Sequence, residues 1–123
     1  MFVGIDICST RKLAHALTRS PFLKEEVFSP AEIAYCEAQP KPQQHYSGRW
    51  AAKEACLKAF GLSVLGVELK QIEVVRDAGS RPTLHIHDED LRQAMNSQAA
   101  NFTLQVSISH EDEYSVAVVL VLS

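Results

Sequence analysis

The sequence predicts an α+β fold, with a mainly antiparallel sheet packed on a long central helix, and three observations carry that prediction. An apolar strand pattern opens the chain at Phe2-Val3-Gly4-Ile5-Asp6-Ile7, and period-two alternation returns only in the second half. Between them, residues 47–60 are apolar on nearly every helical face, as a buried central helix would be. Strands and helices do not alternate regularly, which argues against a parallel sheet built from βαβ units. At 123 residues and 46% hydrophobic, the chain suits one domain over residues 1–123 with a single modest core, and no composition break or internal repeat divides it.

Residues 2–7 form the first predicted strand. Ser9 or Thr10 can cap a helix through residue 18, with Leu13 and Leu17 on one face and Arg11, His15 and Arg19 following each other at spacing four. Phe28-Ser29-Pro30-Ala31-Glu32 has a capping-box pattern, in which Ser29 accepts from the Glu32 amide, Pro30 fits the first helical position and Glu32 reaches back. A short helix to about residue 38 follows. Pro40 and Pro42 make 39–44 a break, because proline cannot donate to a helix ladder. Residues 47–60 are the best helix: Ser47 can cap it, alanines fill it, and Gly61 stands where a left-handed terminal residue is least strained. Residues 68–76 and 83–87 read as a hairpin around the turn residues Asp77, Ala78, Gly79, Ser80, Arg81 and Pro82. Asp88 caps a short helix carrying Leu91, Ala94 and Met95. In a closing hairpin, Leu104, Val106 and Ile108 alternate with Thr103, Gln105, Ser107 and Ser109, and residues 114–122 return after the polar turn 110–113.

A net charge of −3 gives the chain no general attraction for nucleic acid. The longest apolar run, 116–122, is far too short to span a bilayer, and no basic leader precedes the first strand, so no membrane role is expected. Three cysteines, Cys8, Cys36 and Cys56, lack paired spacing and fit free thiols in a reducing compartment, which makes the cytoplasm the expected location. The charge is uneven. Arg11, Lys12, Arg19 and Lys24 sit in a stretch with no acid, which an acidic partner would feel.

Asp6 in an apolar strand and Glu54 in an apolar helix occupy places that disfavour an unpaired charge. Each alone has a structural reading, Asp6 bonded to backbone amides and Glu54 paired with Lys58 four residues on. A helix packed on a strand can bring the two together, and like charges at close range need a cation between them. Two carboxylates completed by water and substrate phosphate suit Mg²⁺. Lys58 can then neutralise phosphate charge, or serve as a base if desolvation lowers its pKa. No zinc-type His/Cys spacing, Walker glycine loop or Rossmann fingerprint is present, which leaves phosphoryl chemistry of another kind.

Gly4-Ile5-Asp6-Ile7, Phe28-Ser29-Pro30-Ala31-Glu32-Ile33-Ala34-Tyr35, the stretch from Ser47-Gly48-Arg49-Trp50-Ala51-Ala52-Lys53-Glu54-Ala55 through Cys56-Leu57-Lys58-Ala59-Phe60-Gly61, and Ser107-Ile108-Ser109-His110 occur in this order. Together they resemble the holo-acyl-carrier-protein synthases, the short type of 4′-phosphopantetheinyl transferase, over almost the whole chain. The resemblance implies transfer of 4′-phosphopantetheine from coenzyme A to a serine hydroxyl of an acyl carrier protein, releasing adenosine 3′,5′-bisphosphate. Carried over position by position, it implies Asp6 and Glu54 as Mg²⁺ ligands on the pyrophosphate. Glu54 and Lys58 would be catalytic, Lys58 by assisting proton removal or stabilising charge. His110 would lie near the coenzyme A phosphates, with Arg49 and Lys53 as further phosphate contacts. Homotrimers with the active site between subunits are implied too, as is docking of an acidic carrier protein on the basic first helix.

The chain departs from the family pattern at Ser9 and Lys12, where glutamate and arginine are usual, and in Gly61-Leu62-Ser63-Val64-Leu65-Gly66, where a Gly-Thr-Gly pattern is expected. Those departures motivate a second reading, a catalytically impaired module that binds acyl carrier proteins. A third reading makes Cys56 or Cys8 a nucleophile, although Cys56 has no neighbouring base in sequence. His15, His45, His85 and His87 read as surface or strand residues.

Overall fold

The structure is a computed structural model, and it describes residues 1–76 and 79–123; Asp77 and Ala78 of the predicted turn lie outside the described residues. Strand β1 (Phe2–Ser9) leads into α1 (Thr10–Arg19), α2 (Leu23–Val27), α3 (Pro30–Glu37) and the long α4 (Pro42–Ala59). A 3-10 turn (Leu69–Gln71), β2 (Ile72–Val75) and β3 (Thr83–Ile86) follow, then α5 (Glu89–Gln98), β4 (Thr103–His110) and β5 (Tyr114–Leu122). The α+β prediction holds. The main sheet is antiparallel in the order β1-β5-β4, and β2 and β3 form a separate antiparallel pair.

Helix α4 lies across the main sheet because both surfaces are nearly flat there. Ala51, Ala52, Ala55 and Ala59 are buried against the face that β5 presents through Ala117, Val119 and Val121. On β1 the same face carries Gly4 and Asp6, paired in register with Val119 and Ala117. Gly4 lets the two elements touch: a Cβ there would lie 2.0 Å from the Ala55 carbonyl oxygen and 2.7 Å from the Ala59 nitrogen. No side chain fits between backbones that close.

Three of the caps read from sequence are present. Ser9 accepts from the Lys12 amide, Asp88 accepts from the Leu91 amide, and Ser29 and Glu32 make the full capping box. Gly61 adopts the expected left-handed conformation at φ 65°. Three elements differ. Pro42 starts α4 instead of breaking it, since the first turn of a helix needs no amide donor, and Ser47 is therefore interior. Helix α2, which lacks a side-chain cap, carries no signal that the sequence reading uses. Residues 69–71 coil into the 3-10 turn, so β2 is shorter than the predicted strand.

Candidate active site

Asp6 comes from the middle of β1, and Glu54 and Lys58 from one side of α4, a turn apart. Asp6 is buried at 8% exposure, because strand register turns it toward α4 with Gly4. Its Oδ1 accepts from Lys58 Nζ at 2.8 Å, so the lysine pairs with the strand carboxylate and not with Glu54, its i−4 neighbour. That bond raises the pKa of Lys58, the opposite of the lowering by desolvation that a base role would need, and favours its part as a positive charge. Glu54 is half-buried. Its pKa is raised first by burial and then by Asp6, against Lys58 and a hydrogen bond with the Trp50 side chain that lower it. Asp6 is thus near enough to act on Glu54. Cys8 registers both, its thiol being pushed up to about 12 by burial first and then by Asp6 and Glu54.

A second cluster lies where β4 ends beside the first half of α4. His110 is half-buried, and its ring centroid lies 5.6 Å from that of His45. Burial first, then Arg49 and Arg76, lower its pKa. Arg49 is 4% exposed, its guanidinium stacks over Tyr35 at 4.3 Å, and its Nε has no hydrogen-bond partner. Among the described residues no carboxylate pairs with it. A buried, uncompensated guanidinium beside an imidazole and a second arginine is a place for an anion.

Lys53, expected to touch phosphate, does not face either cluster. It is fully buried, and its ammonium donates to Glu32 Oε1 at 2.7 Å, to the Leu69 carbonyl at 2.9 Å and to the Ile72 carbonyl at 2.7 Å. An ammonium has three donors, so none remains for a ligand. One residue from Glu54 on a helix is a turn of about 100°, which points Lys53 into the protein instead of toward the cleft.

Arg11, Lys12, His15 and Arg19 line an exposed groove on α1, and among the described residues no carboxylate pairs with Arg11, Lys12 or Arg19. Lys24 does not join them, since it turns to Glu37 at 3.3 Å. No cysteine suits the nucleophile reading: burial is the leading cause that holds all three thiols up at about 12. The sequence reading gives no role beside His110 to two buried hydroxyls, Ser47, read there as a cap, and Ser115; only their places on inward-facing positions could have flagged them.

The family profile described as the 4′-phosphopantetheinyl transferase superfamily matches residues 2–119. The chain is 38% identical over 120 residues to the holo-[acyl-carrier-protein] synthase of Moorella thermoacetica, covering 98% of this chain and 92% of that protein. It is 43% identical over 96 residues to the fatty acid synthase subunit alpha of Lachancea kluyveri, covering 76% of this chain but 5% of that much longer protein. Among solved structures, an ACPS–CoA complex from Chronobacterium ammoniagenes superposes with a TM-score of 0.85 at 31% identity, covering 98% of this chain and 95% of that one.

Proposed function

This chain belongs to the 4′-phosphopantetheinyl transferase superfamily, and we propose that it moves the 4′-phosphopantetheine of coenzyme A onto a serine of an acyl carrier protein with the help of Mg²⁺. The observation that carries the reading is the convergence of Asp6 and Glu54, from distant parts of the chain, with Lys58 on Asp6. In the reaction the serine oxygen bonds to the phosphorus attached to pantetheine. The bond from that phosphorus to adenosine 3′,5′-bisphosphate breaks, that oxygen leaves with its electron pair, and the serine hydroxyl proton passes to solvent water.

Asp6, which is buried, and Glu54, whose pKa is raised first by burial and then by Asp6, form a pair of carboxylates that would suit a divalent ion such as Mg²⁺. Mg²⁺ held by Asp6 and Glu54 would gather negative charge on the pyrophosphate as the leaving group departs. Lys58 stays cationic and adds its charge on the same side. Arg49 and His110 would receive the other phosphates of coenzyme A, an assignment supported by the buried, unpartnered Nε of Arg49. Arg11, Lys12 and Arg19 offer an acidic carrier protein a complementary surface, which would raise the encounter rate more than the affinity.

A homotrimer is part of this reading. Val3, Ile5 and Ile7 of β1 are 63, 59 and 61% exposed, and they pair in register with the half-exposed Leu120, Val118 and Val116 of β5. A contiguous apolar sheet face of this kind is a surface for protein contact. Light scattering is expected to give the mass of three chains, and Ile5→Glu is expected to yield single chains; a wild-type monomer would overturn the assembly.

The transfer itself is tested by incubating an acyl carrier protein with this chain, coenzyme A and Mg²⁺ and weighing the product. The expected result is a gain of one phosphopantetheine on the acceptor serine, lost when a chelator removes the metal. An unmodified carrier protein would sink the proposal.

A further inference from the structure

His110 is held from behind by a chain of buried hydroxyls. Its Nδ1 lies 2.8 Å from Ser115 Oγ, Ser115 Oγ lies 2.6 Å from Ser47 Oγ, and Ser47 Oγ lies 3.1 Å from Thr10 Oγ1. Both serines are fully buried, so each proton must find a partner inside the protein. Both also face one carbonyl, that of Gln44, at 3.1 Å from Ser47 and 3.4 Å from Ser115.

A carbonyl only accepts, so a serine proton given to Gln44 sets the direction of the chain. If Ser47 gives its proton to Gln44, the short contact between the serines must be donated by Ser115. If Ser115 gives its proton to Gln44, Ser47 donates across that contact. Ser115 could donate to the ring only if neither serine bonded Gln44, whose carbonyl lies inside α4; with Gln44 engaged, Ser115 has spent its single proton in both arrangements and meets His110 as an acceptor. The proton of the imidazole is then on Nδ1. Packing fixes the ring as well: a Cβ on Gly48 would stand 2.4 Å from Cε1 of His110 and 3.3 Å from its Nε2.

We propose that Ser115, backed by Ser47, is a positioning residue that holds His110 in the Nδ1–H tautomer, so that Nε2 can donate to a phosphate only when the ring is protonated. This rests on the reading that His110 faces the phosphates of coenzyme A, and it adds a proton to that binding step. Neutral His110 would point a lone pair at the phosphate, whereas imidazolium would bond Ser115 with one N–H and the phosphate with the other. The charged and titratable groups facing the ring are His45 and Arg49 of α4 and Arg76 beyond β2; burial first, and then the two arginines, oppose its protonation in the free protein. A bound phosphate reverses that balance, so coenzyme A is taken up together with a proton.

The test uses the full chain with ¹⁵N-labelled histidine. In the free wild-type protein above pH 7, NMR is expected to show His110 with its proton on Nδ1, and Ser115→Ala is expected to shift it to the Nε2–H form. Coenzyme A affinity of the wild type is expected to fall with rising pH by up to about tenfold per unit. In Ser115→Ala the fall should be shallower, and Ser115→Thr, which keeps the hydroxyl, should restore it. An Nε2–H tautomer in the wild type overturns the proposal outright, with no variant needed. An unchanged pH slope in folded Ser115→Ala also overturns it, even if His110→Ala weakens binding. Should His110→Ala leave affinity untouched while the tautomer is Nδ1–H, the phosphate contact is what fails.

Discussion

Replacing Asp6 with asparagine is expected to lower the rate of carrier-protein modification by roughly a hundred- to a thousandfold while leaving the fold intact. The side chain is nearly isosteric, so the buried position stays filled, but a neutral amide gives up the charge that a divalent ion requires. Several kcal/mol of transition-state stabilisation are at stake where a metal meets a leaving phosphate, and each ~1.4 kcal/mol is a factor of ten. Stability should move little. The lost pair with Lys58 is open to solvent on the lysine side and is worth at most about 1 kcal/mol, and the repulsion that raises the proton affinity of Glu54 disappears with it. Glu54→Gln should fail in the same way, and the two together should be no worse than the worse one, because both remove one ion. Thermal melts with coenzyme A and increasing Mg²⁺ give the independent check: the wild type should be stabilised, and neither variant should respond. Normal turnover by Asp6→Asn would remove the metal from the account.

Lys53→Met is expected to produce the largest loss of stability of any conservative change in this chain, about 3–5 kcal/mol, or a melting temperature lower by about 10–20 °C. The lysine is fully buried, and desolvation holds its pKa below the usual lysine value despite Glu32 beside it. Its three bonds tie α3, through Glu32, to α4 and to the 3-10 turn and β2. Methionine fills the space but leaves the Glu32 carboxylate and two carbonyls without their donor. Glu32 keeps the amides of Ser29 and Val74, which is why the charge is worth more than its cap. The double variant Lys53→Met with Glu32→Gln should recover part of the loss, since no uncompensated charge is then buried. If calorimetry finds Lys53→Met as stable as the wild type, the pair is not what holds these elements together.

The contrast between these residues shows what a linear reading reaches. Asp6 and Glu54 stand out because a carboxylate inside an apolar stretch is conspicuous, and the caps at Ser9, Ser29 and Asp88 are legible because they depend on residues three positions apart. The neighbour of Lys53 is not. Glu32 stands 21 positions away and already has a local task in its capping box, so nothing in the sequence shows that the same carboxylate serves both. Lys58 misled in the opposite sense, as helical spacing favours Glu54 while packing delivers Asp6 from 52 positions away. Pro42 illustrates a third limit: the same absent amide proton ends one helix or begins the next, and only the direction of the following chain distinguishes them.

The contact at Gly4 reaches further than the strand it belongs to. Backbone meets backbone there, at Ala55 and Ala59, and those two alanines are the immediate neighbours of Glu54 and Lys58. One missing methyl group therefore acts as a ruler, setting how far the carboxylate two residues along the strand stands from its counterpart on the helix. Lengthening that ruler by a single carbon would widen the gap across which the proposed reaction has the two acids share an ion, with both side chains still in place.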